Sequence, residues 1–186
     1  MSILFHRYRK KTDEELMVLV KRRDHHAFST LYKRYANRLN AFFFRMLWSD
    51  RELSEDFVHD LFARIISKPE LYNEAYEVKP WLFRIAANMC KNAYRKRRLE
   101  EAFRAANEWE EASASPGMEK MDEVILTDQI YAVLDGMEEE RKTLFLLRYQ
   151  QELSIEAISK MLKLSEGTVK SRLFYTREKI KATLKY

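Results

Sequence analysis

Apolar residues recur along most of the chain at the three- and four-residue spacing of amphipathic helices, and scarcely anywhere at the two-residue spacing of strands. Leu16, Leu19 and Val20 follow Thr12-Asp-Glu-Glu15, a capping box in which threonine and glutamate satisfy each other's free backbone amides. A longer run begins near Ala27 and carries Phe28, Leu31, Tyr32, Tyr35, Leu39, Phe42, Phe43 and Leu47. Ser49-Asp-Arg-Glu52 has the same capping form and opens a helix with Leu53, Phe57, Leu61, Ile65 and Ile66 on one face. Pro69 should end that helix, because it lacks an amide donor and restricts its predecessor. Pro80 suits the first turn of a helix beginning at Trp81. That helix carries Leu82, Ile85, Ala86, Met89 and Tyr94, and runs into Arg95-Lys96-Arg97-Arg98.

From Glu100 to Glu123 the apolar pattern gives way to acidic residues, with only Arg104 and Lys120 opposing them. Ser113-Ala-Ser-Pro-Gly117 lies inside this stretch and clusters turn-forming residues. The stretch reads as a linker with a helical first part. Shorter helices are expected beyond it, over about Asp122–Leu134, Glu138–Tyr149, Ser154–Leu162 and Ser165–Leu184, with Gly136 suited to a left-handed residue after the first. The expected fold is all-α, with two small helical domains over 1–98 and 123–186 joined by the acidic linker 99–122. The second is a four-helix domain.

Composition narrows the function. Three glycines and three prolines in 186 residues exclude turn-rich β architectures, while a hydrophobic fraction of 46% is enough for a core. Cys90 is the lone cysteine, so no intramolecular disulfide or cysteine zinc site is available, as suits a reducing compartment. No apolar run reaches the length of a membrane span or a secretory leader, so a cytoplasmic protein without membrane insertion is expected. No phosphate-binding glycine loop or nucleophile elbow occurs. His25-His26 and the Asp56/His59/Asp60 group carry metal-ligand side chains, but two carboxylates and one imidazole on one helix are an incomplete site. The expectation is a protein that is not an enzyme, with no catalytic residue, metal or cofactor. The net charge of +5 is modest, and its uneven placement is more informative than its size.

The C-terminal pattern is that of a helix-turn-helix. Ile155, Ile158 and Leu162 form the inward stripe of its first helix, Leu164 plugs the turn, and Val169 and Leu173 hold the second helix in place. Small Ser159 allows close approach, and Ser165 is a natural N-cap. Such a second helix enters a major groove with its early residues toward base edges, and basic neighbours hold phosphates. The candidates for reading an upstream element in duplex DNA are Ser165, Thr168, Lys170, Ser171, Arg172, Phe174, Tyr175 and Arg177. The alternative for this segment alone is a helical hairpin with a solvated basic face. Lys163 stands where such motifs usually carry glycine, so an altered turn is expected.

Leu153-Ser154 through Ser165-Glu-Gly-Thr-Val-Lys-Ser-Arg-Leu173 resembles the promoter-reading helix-turn-helix of extracytoplasmic-function sigma factors of bacterial RNA polymerase. Ser54-Glu-Asp-Phe-Val-His-Asp-Leu-Phe-Ala-Arg64 and Lys79-Pro-Trp-Leu-Phe-Arg-Ile-Ala-Ala-Asn88 resemble that family's other blocks, in the same order. The resemblance implies a subunit that joins core polymerase and directs initiation at chosen promoters. It assigns Glu55, Asp56, His59, Asp60, Phe62 and Arg64 to the clamp helices of the polymerase's largest subunit. It assigns Trp81, Arg84, Asn88, Arg95, Lys96, Arg97 and Arg98 to the minus-ten element, Asn88 reading an unstacked base of the non-template strand. Core packing is the competing role for Trp81. The family further implies that the C-terminal domain reads the minus-thirty-five element, and that an anti-sigma factor covers both surfaces. A conventional helix-turn-helix regulator that never joins polymerase is the rival, and it gives the first half no task.

Overall fold

A computed structural model describes residues 8–106 and 122–184 of the chain, with side chains described outside 106–126. Regular structure within these ranges is helical. The first helix, α1 (Asp13–Lys21), opens on the expected capping box: Glu15 N donates to Thr12 Oγ1 at 3.2 Å, and Thr12 N donates to Glu15 Oε2 at 2.8 Å. The next, α2 (His25–Met46), starts two residues before Ala27 because Asp24 caps it, accepting from His26 N at 2.9 Å and Ala27 N at 3.0 Å. Burial pushes the Asp24 carboxyl up, but bonds from the Ala27 amide, the Tyr8 hydroxyl and the His26 amide outweigh it and hold the group below its ordinary value.

The helix α3 (Arg51–Ser67) is capped by Asp50, which accepts from Leu53 N at 2.9 Å. The expected Ser49 box is therefore displaced by one residue. Trp48 and Ser49 both have left-handed backbone, φ 56° and 58°, which takes Ser49 out of the extended conformation that a cap needs. The helix stops at Ser67, just before Pro69 as expected, and a short 3₁₀ turn over Pro69–Leu71 follows. The long helix α4 (Val78–Ala106) begins three residues before Trp81, with Val78 N donating to Glu14 Oε1 of α1 at 3.1 Å. A partner from another element settles the start, and Pro80 sits harmlessly among amides that have no intrahelical acceptor.

Leu16, Leu31, Leu39, Phe42, Phe43, Met46, Leu61, Ile65, Leu82 and Phe83 bury between these helices. Each large apolar side chain so buried contributes about 1.5–3 kcal/mol. Phe42 meets Phe83 edge-on at 5.5 Å, tying α2 to α4. In the second half, α5 (Asp122–Asp135), α6 (Glu139–Phe145), α7 (Ile155–Leu162) and α8 (Glu166–Leu184) form a four-helix module, and α6 ends in a π turn over Leu146–Gln150. Gly136 does not have the left-handed backbone expected of it. The chain turns there in right-handed geometry, with Met137 N donating to Leu134 O at 3.0 Å.

The two modules meet along a seam of α2 and α4 against α5, α6 and α7. Leu144, Leu146, Ile158 and Met161 join the same buried cluster as the first-half core. Thr143 Oγ1 lies 3.7 Å from Met46 Sδ, and Gln150 Nε2 lies 3.5 Å from Ala41 O. The Arg45 guanidinium stacks 3.6 Å from the Tyr131 ring centroid and reaches within 3.9 Å of Asp128.

Candidate nucleic-acid interface

The helix-turn-helix is built by two side-chain caps and one left-handed lysine. Ser154 caps α7, accepting from Ala157 N at 3.0 Å, and Ser165 caps α8, accepting from Thr168 N at 3.0 Å. Lys163 adopts φ 56°, ψ 42°, the conformation that glycine would supply at a helix C-terminus. The turn therefore keeps the usual geometry, contrary to the expected alteration, and the lysine backbone bears the strain. Ser159 Oγ donates to Leu164 O at 2.6 Å, so the small residue also closes the turn. Ile158 and Met161 bury from α7, while Val169, Leu173, Thr176 and Ile180 bury from α8. Met161 was not among the expected inward residues.

This packing leaves Lys170, Ser171, Phe174, Tyr175 and Arg177 exposed on α8. Phe174 and Tyr175 are 56% and 62% exposed and meet edge-on at 5.6 Å. Large aromatic surface left in water without a partner points to something that covers it. The polar candidates divide. Ser165 and Thr168 share a hydroxyl contact at 2.8 Å, and Ser171 Oγ donates to Thr168 O at 3.1 Å, so all three help to form the helix start. Lys170 pairs with Glu166 at 3.1 Å on an exposed turn, a bond worth little in water. Arg172 is half-buried and pairs with Glu140 of α6 at 2.6 Å, which turns it toward the seam and away from the outward face. Sequence reasoning missed Glu140, since nothing in residue spacing announces a partner 32 positions away.

On α4 the minus-ten candidates also divide. Trp81 is 5% exposed and packs edge-on against Tyr72 at 5.0 Å, which is the core role. Burial pushes the Tyr72 hydroxyl up to about 12, helped by Glu14, Glu74 and Asp13, and that hydroxyl donates to Tyr76 O at 2.6 Å. Asn88 is exposed and Arg84 half-exposed, one helical turn apart on one face. Arg97 is held at 2.8 Å by Glu101 and at 4.3 Å over the Trp48 ring, while Lys96 lies 3.8 Å from Glu100. Arg95 and Arg98 are exposed and form no ion pair among the described residues. Tyr76, 55% exposed beside Trp81 and Arg84, was not singled out from the sequence, because it falls in the connector before α4 where no periodicity marks it.

On α3, Glu55, Asp56, His59, Asp60 and Arg64 lie together on a solvent face. Phe62 does not join them. It is 2% exposed, edge-on to Phe28 at 5.8 Å and 4.7 Å from the Tyr32 ring, so the aromatic anchor expected for a partner is core. Among the described residues no group of three or more His, Cys, Asp and Glu could hold a metal ion, and no helix is long and apolar enough to cross a membrane.

A capped helix-turn-helix with an exposed aromatic and basic face, behind a helical module carrying an acidic face and a basic helix, is matched by known families. The sequence model of sigma-70 region 2 matches residues 31–100, and that of sigma-70 region 4 matches residues 127–180. The chain belongs to the extracytoplasmic-function sigma factors. It directs RNA polymerase to promoters and is not an enzyme. This sigma factor is 28% identical over 155 residues to the ECF RNA polymerase sigma factor SigM of Bacillus subtilis, covering 82% of this chain and 91% of that one. It is 27% identical to the RNA polymerase sigma-H factor of Pseudomonas aeruginosa, over 94% of this chain and 95% of the other. In fold it is similar to CnrH, solved in complex with the cytosolic domain of CnrY (TM-score 0.71, 18% identity, 94% and 98% covered). It is also similar to the sigma factor RpoE of Bartonella quintana, solved with the anti-sigma factor NepR (TM-score 0.68, 22% identity, 85% and 96% covered).

Proposed function

We propose that the sigma factor reads two promoter elements with two separate faces while its first module rides on core polymerase. Lys170, Phe174, Tyr175 and Arg177 read the upstream, minus-thirty-five element in duplex DNA. Tyrosine and phenylalanine rings suit the apolar methyl of thymine, and the cations hold phosphates. Arg84 and Asn88 take the opened minus-ten strand, with Arg95 and Arg98 on its backbone. Unstacking a base costs a few kcal/mol, which stacking and phosphate contacts on the protein offset. The acidic face of α3 (Glu55, Asp56, His59 and Asp60, with Arg64) docks on the clamp helices of the largest polymerase subunit, where charge complementarity sets register and on-rate. Domains over 1–98 and 123–186 joined by the acidic linker 99–122 divide these tasks, and an anti-sigma factor, such as the NepR solved with RpoE of Bartonella quintana, is a natural regulator.

The observation that carries this reading is the pairing of an outward aromatic face on a capped recognition helix with half-exposed Arg84 and exposed Asn88, one turn apart on a different module. Neither face alone needs the other, but a promoter that is gripped upstream and opened downstream needs both. Tethering the two weak contacts to one enzyme raises their effective concentration. Run-off transcription from a randomised promoter library, with core polymerase and this chain, is the test. Selected promoters should show two spaced elements, and the double substitution Lys170→Ala, Tyr175→Ala should change only the upstream one. A conventional regulator would neither be retained by core polymerase nor yield selective starts.

A further inference from the structure

Two faces run side by side along the second half of α4. Arg84, Asn88, Arg95 and Arg98, assigned above to the opened strand, recur with Lys91 at three- and four-residue spacing and share one of them. Tyr94, Arg97 and Glu101 recur in the same way on the other, turned by about 100°. Cys90 is the last buried residue of the helix, and from Lys91 to Ala105 only Ala93, Tyr94 and Arg97 are partly covered. What covers Tyr94 and Arg97 is the corner between α2 and α3. The Tyr94 hydroxyl donates to Met46 O at 2.7 Å, and its ring packs 5.0 Å from that of Trp48. The Arg97 guanidinium lies 4.3 Å from the centroid of the Trp48 ring, and its Nε donates to Glu101 Oε1 at 2.8 Å. Trp48 reaches both from left-handed backbone, φ 56°, the same irregularity that hands the α3 cap to Asp50.

We propose that Arg97 is a positioning residue and not a phosphate contact: stacked on Trp48, it fixes the rotation of α4 past its last buried turn and so aims Arg95 and Arg98 at the strand. This rests on the assignment of Arg84, Asn88, Arg95 and Arg98 to that strand. The cations of the basic run do different work. A planar guanidinium can cover an indole face and still donate at its edge to a carboxylate, which is what Arg97 does between Trp48 and Glu101. Arg95 and Arg98 are exposed and form no ion pair among the described residues, so their charge is available to phosphates. Helical stability comes mostly from packing of an inward face, and beyond Cys90 that face has thinned to Ala93, Tyr94 and Arg97. Arg95 and Arg98 lie within two residues of Arg97, so a helix that turns or frays there moves both. The ion pair with Glu101 is exposed and contributes little in water, which leaves the stack on Trp48 as the contact that matters.

The test uses holoenzyme, the full chain on core polymerase, with a fork template from a promoter selected as above: duplex upstream, single-stranded over the non-template minus-ten segment. Affinity is measured across a series of salt concentrations. Arg97→Ala and Trp48→Ala should each weaken binding about two- to fivefold. The double variant should match the singles, since one contact cannot be lost twice. Arg97→Met keeps a side chain on the indole without its charge, and should restore both the affinity and the wild-type salt slope. Arg98→Ala should cost less in the Arg97→Ala chain than in the wild type, a coupling that a general loss of stability does not produce. Should Trp48→Ala fail to fold by circular dichroism, Trp48→Phe and the Arg97→Met slope decide. A slope for Arg97→Met lowered by about 0.7, the value of one single-strand phosphate contact, overturns the proposal and leaves the strand assignment standing. So does a folded Trp48→Ala chain that binds as the wild type does. If Arg95→Ala and Arg98→Ala also leave affinity and slope unchanged, the strand assignment falls and the proposal with it.

Discussion

Lys163→Gly isolates a single strained backbone position in the helix-turn-helix. Lys163 holds φ 56°, ψ 42°, its side chain is exposed, and it forms no ion pair among the described residues. A left-handed conformation costs an L-residue about 1–2 kcal/mol, and glycine escapes that cost. Glycine in turn loses more freedom on folding, which returns about 0.5–1 kcal/mol of the gain. The net expectation is a chain more stable by about 0.5–1 kcal/mol. The shift in Tm then depends on the size of the unit that melts. A cooperative unit of the whole chain rises by about 1–4 °C, whereas a helix-turn-helix module melting alone rises by about twice that. Scanning calorimetry of wild type and variant, with urea titration for the free energy, gives both quantities. An unchanged m-value with a raised midpoint supports the argument. A midpoint that falls would show that the lysine side chain contributes more than its backbone costs, and the assignment of strain here would be wrong.

Asn88→Ala in the holoenzyme should slow promoter opening, followed by permanganate reactivity of unpaired thymines, more than it weakens closed-complex binding; equal losses in the two steps would remove its base-reading role. Phe62→Ala should cost about 3–5 kcal/mol of stability, measured by urea denaturation, because Phe62 fills a pocket between Phe28 and Tyr32. Asp56→Lys and Asp60→Lys, both on the exposed face, should leave stability within about 0.5 kcal/mol while weakening retention by core polymerase on a sizing column. Burial raises the Glu139 carboxyl above its ordinary value, against the opposing pull of Arg98 and Lys91. A raised acid favours the folded state only while protonated, so its charged form costs stability once pH rises through the folded value. Glu139→Gln should accordingly raise the Tm at neutral pH, and the gap should close as pH falls below the usual carboxylate range. A gap that persists in acid would mean that the charge is not its cause.

The helices themselves were legible wherever caps and periodicity agreed. Thr12-Glu15 and Ser165 act as their sequence suggested, because a side-chain cap is a local matter of three or four residues. Departures arose where a distant group or an unusual backbone conformation decides. Glu14 of α1 draws the start of α4 back to Val78, and the left-handed pair Trp48-Ser49 hands the capping role to Asp50. The candidate site was half legible. Exposed Asn88, Phe174 and Tyr175 stood out by motif, but the sorting of Phe62 and Trp81 into the core needed their neighbours Phe28, Tyr32 and Tyr72. An aromatic at the edge of an amphipathic stripe satisfies either role by spacing alone. The seam was not legible at all, since Arg45 and Tyr131, or Arg172 and Glu140, carry no mark of one another in the chain.

The uninterrupted run of α4 from Val78 to Ala106 makes it a rod about 43 Å long. Arg84 and Ala106 lie 22 residues apart on this rod, about 33 Å at 1.5 Å per residue. Tilting it by roughly ten degrees about Arg84 would swing the far tip by about 6 Å, a lever arm set by the same helical rise. Small adjustments at the Arg84–Asn88 turn, the face proposed for the opened strand, would thereby be transmitted, enlarged, to the point from which the chain sets out toward its second module. Swapping two residues of the exposed stretch beyond Arg98 for glycine would soften that arm without touching either gripping face, and would separate stiffness from contact in the timing of initiation.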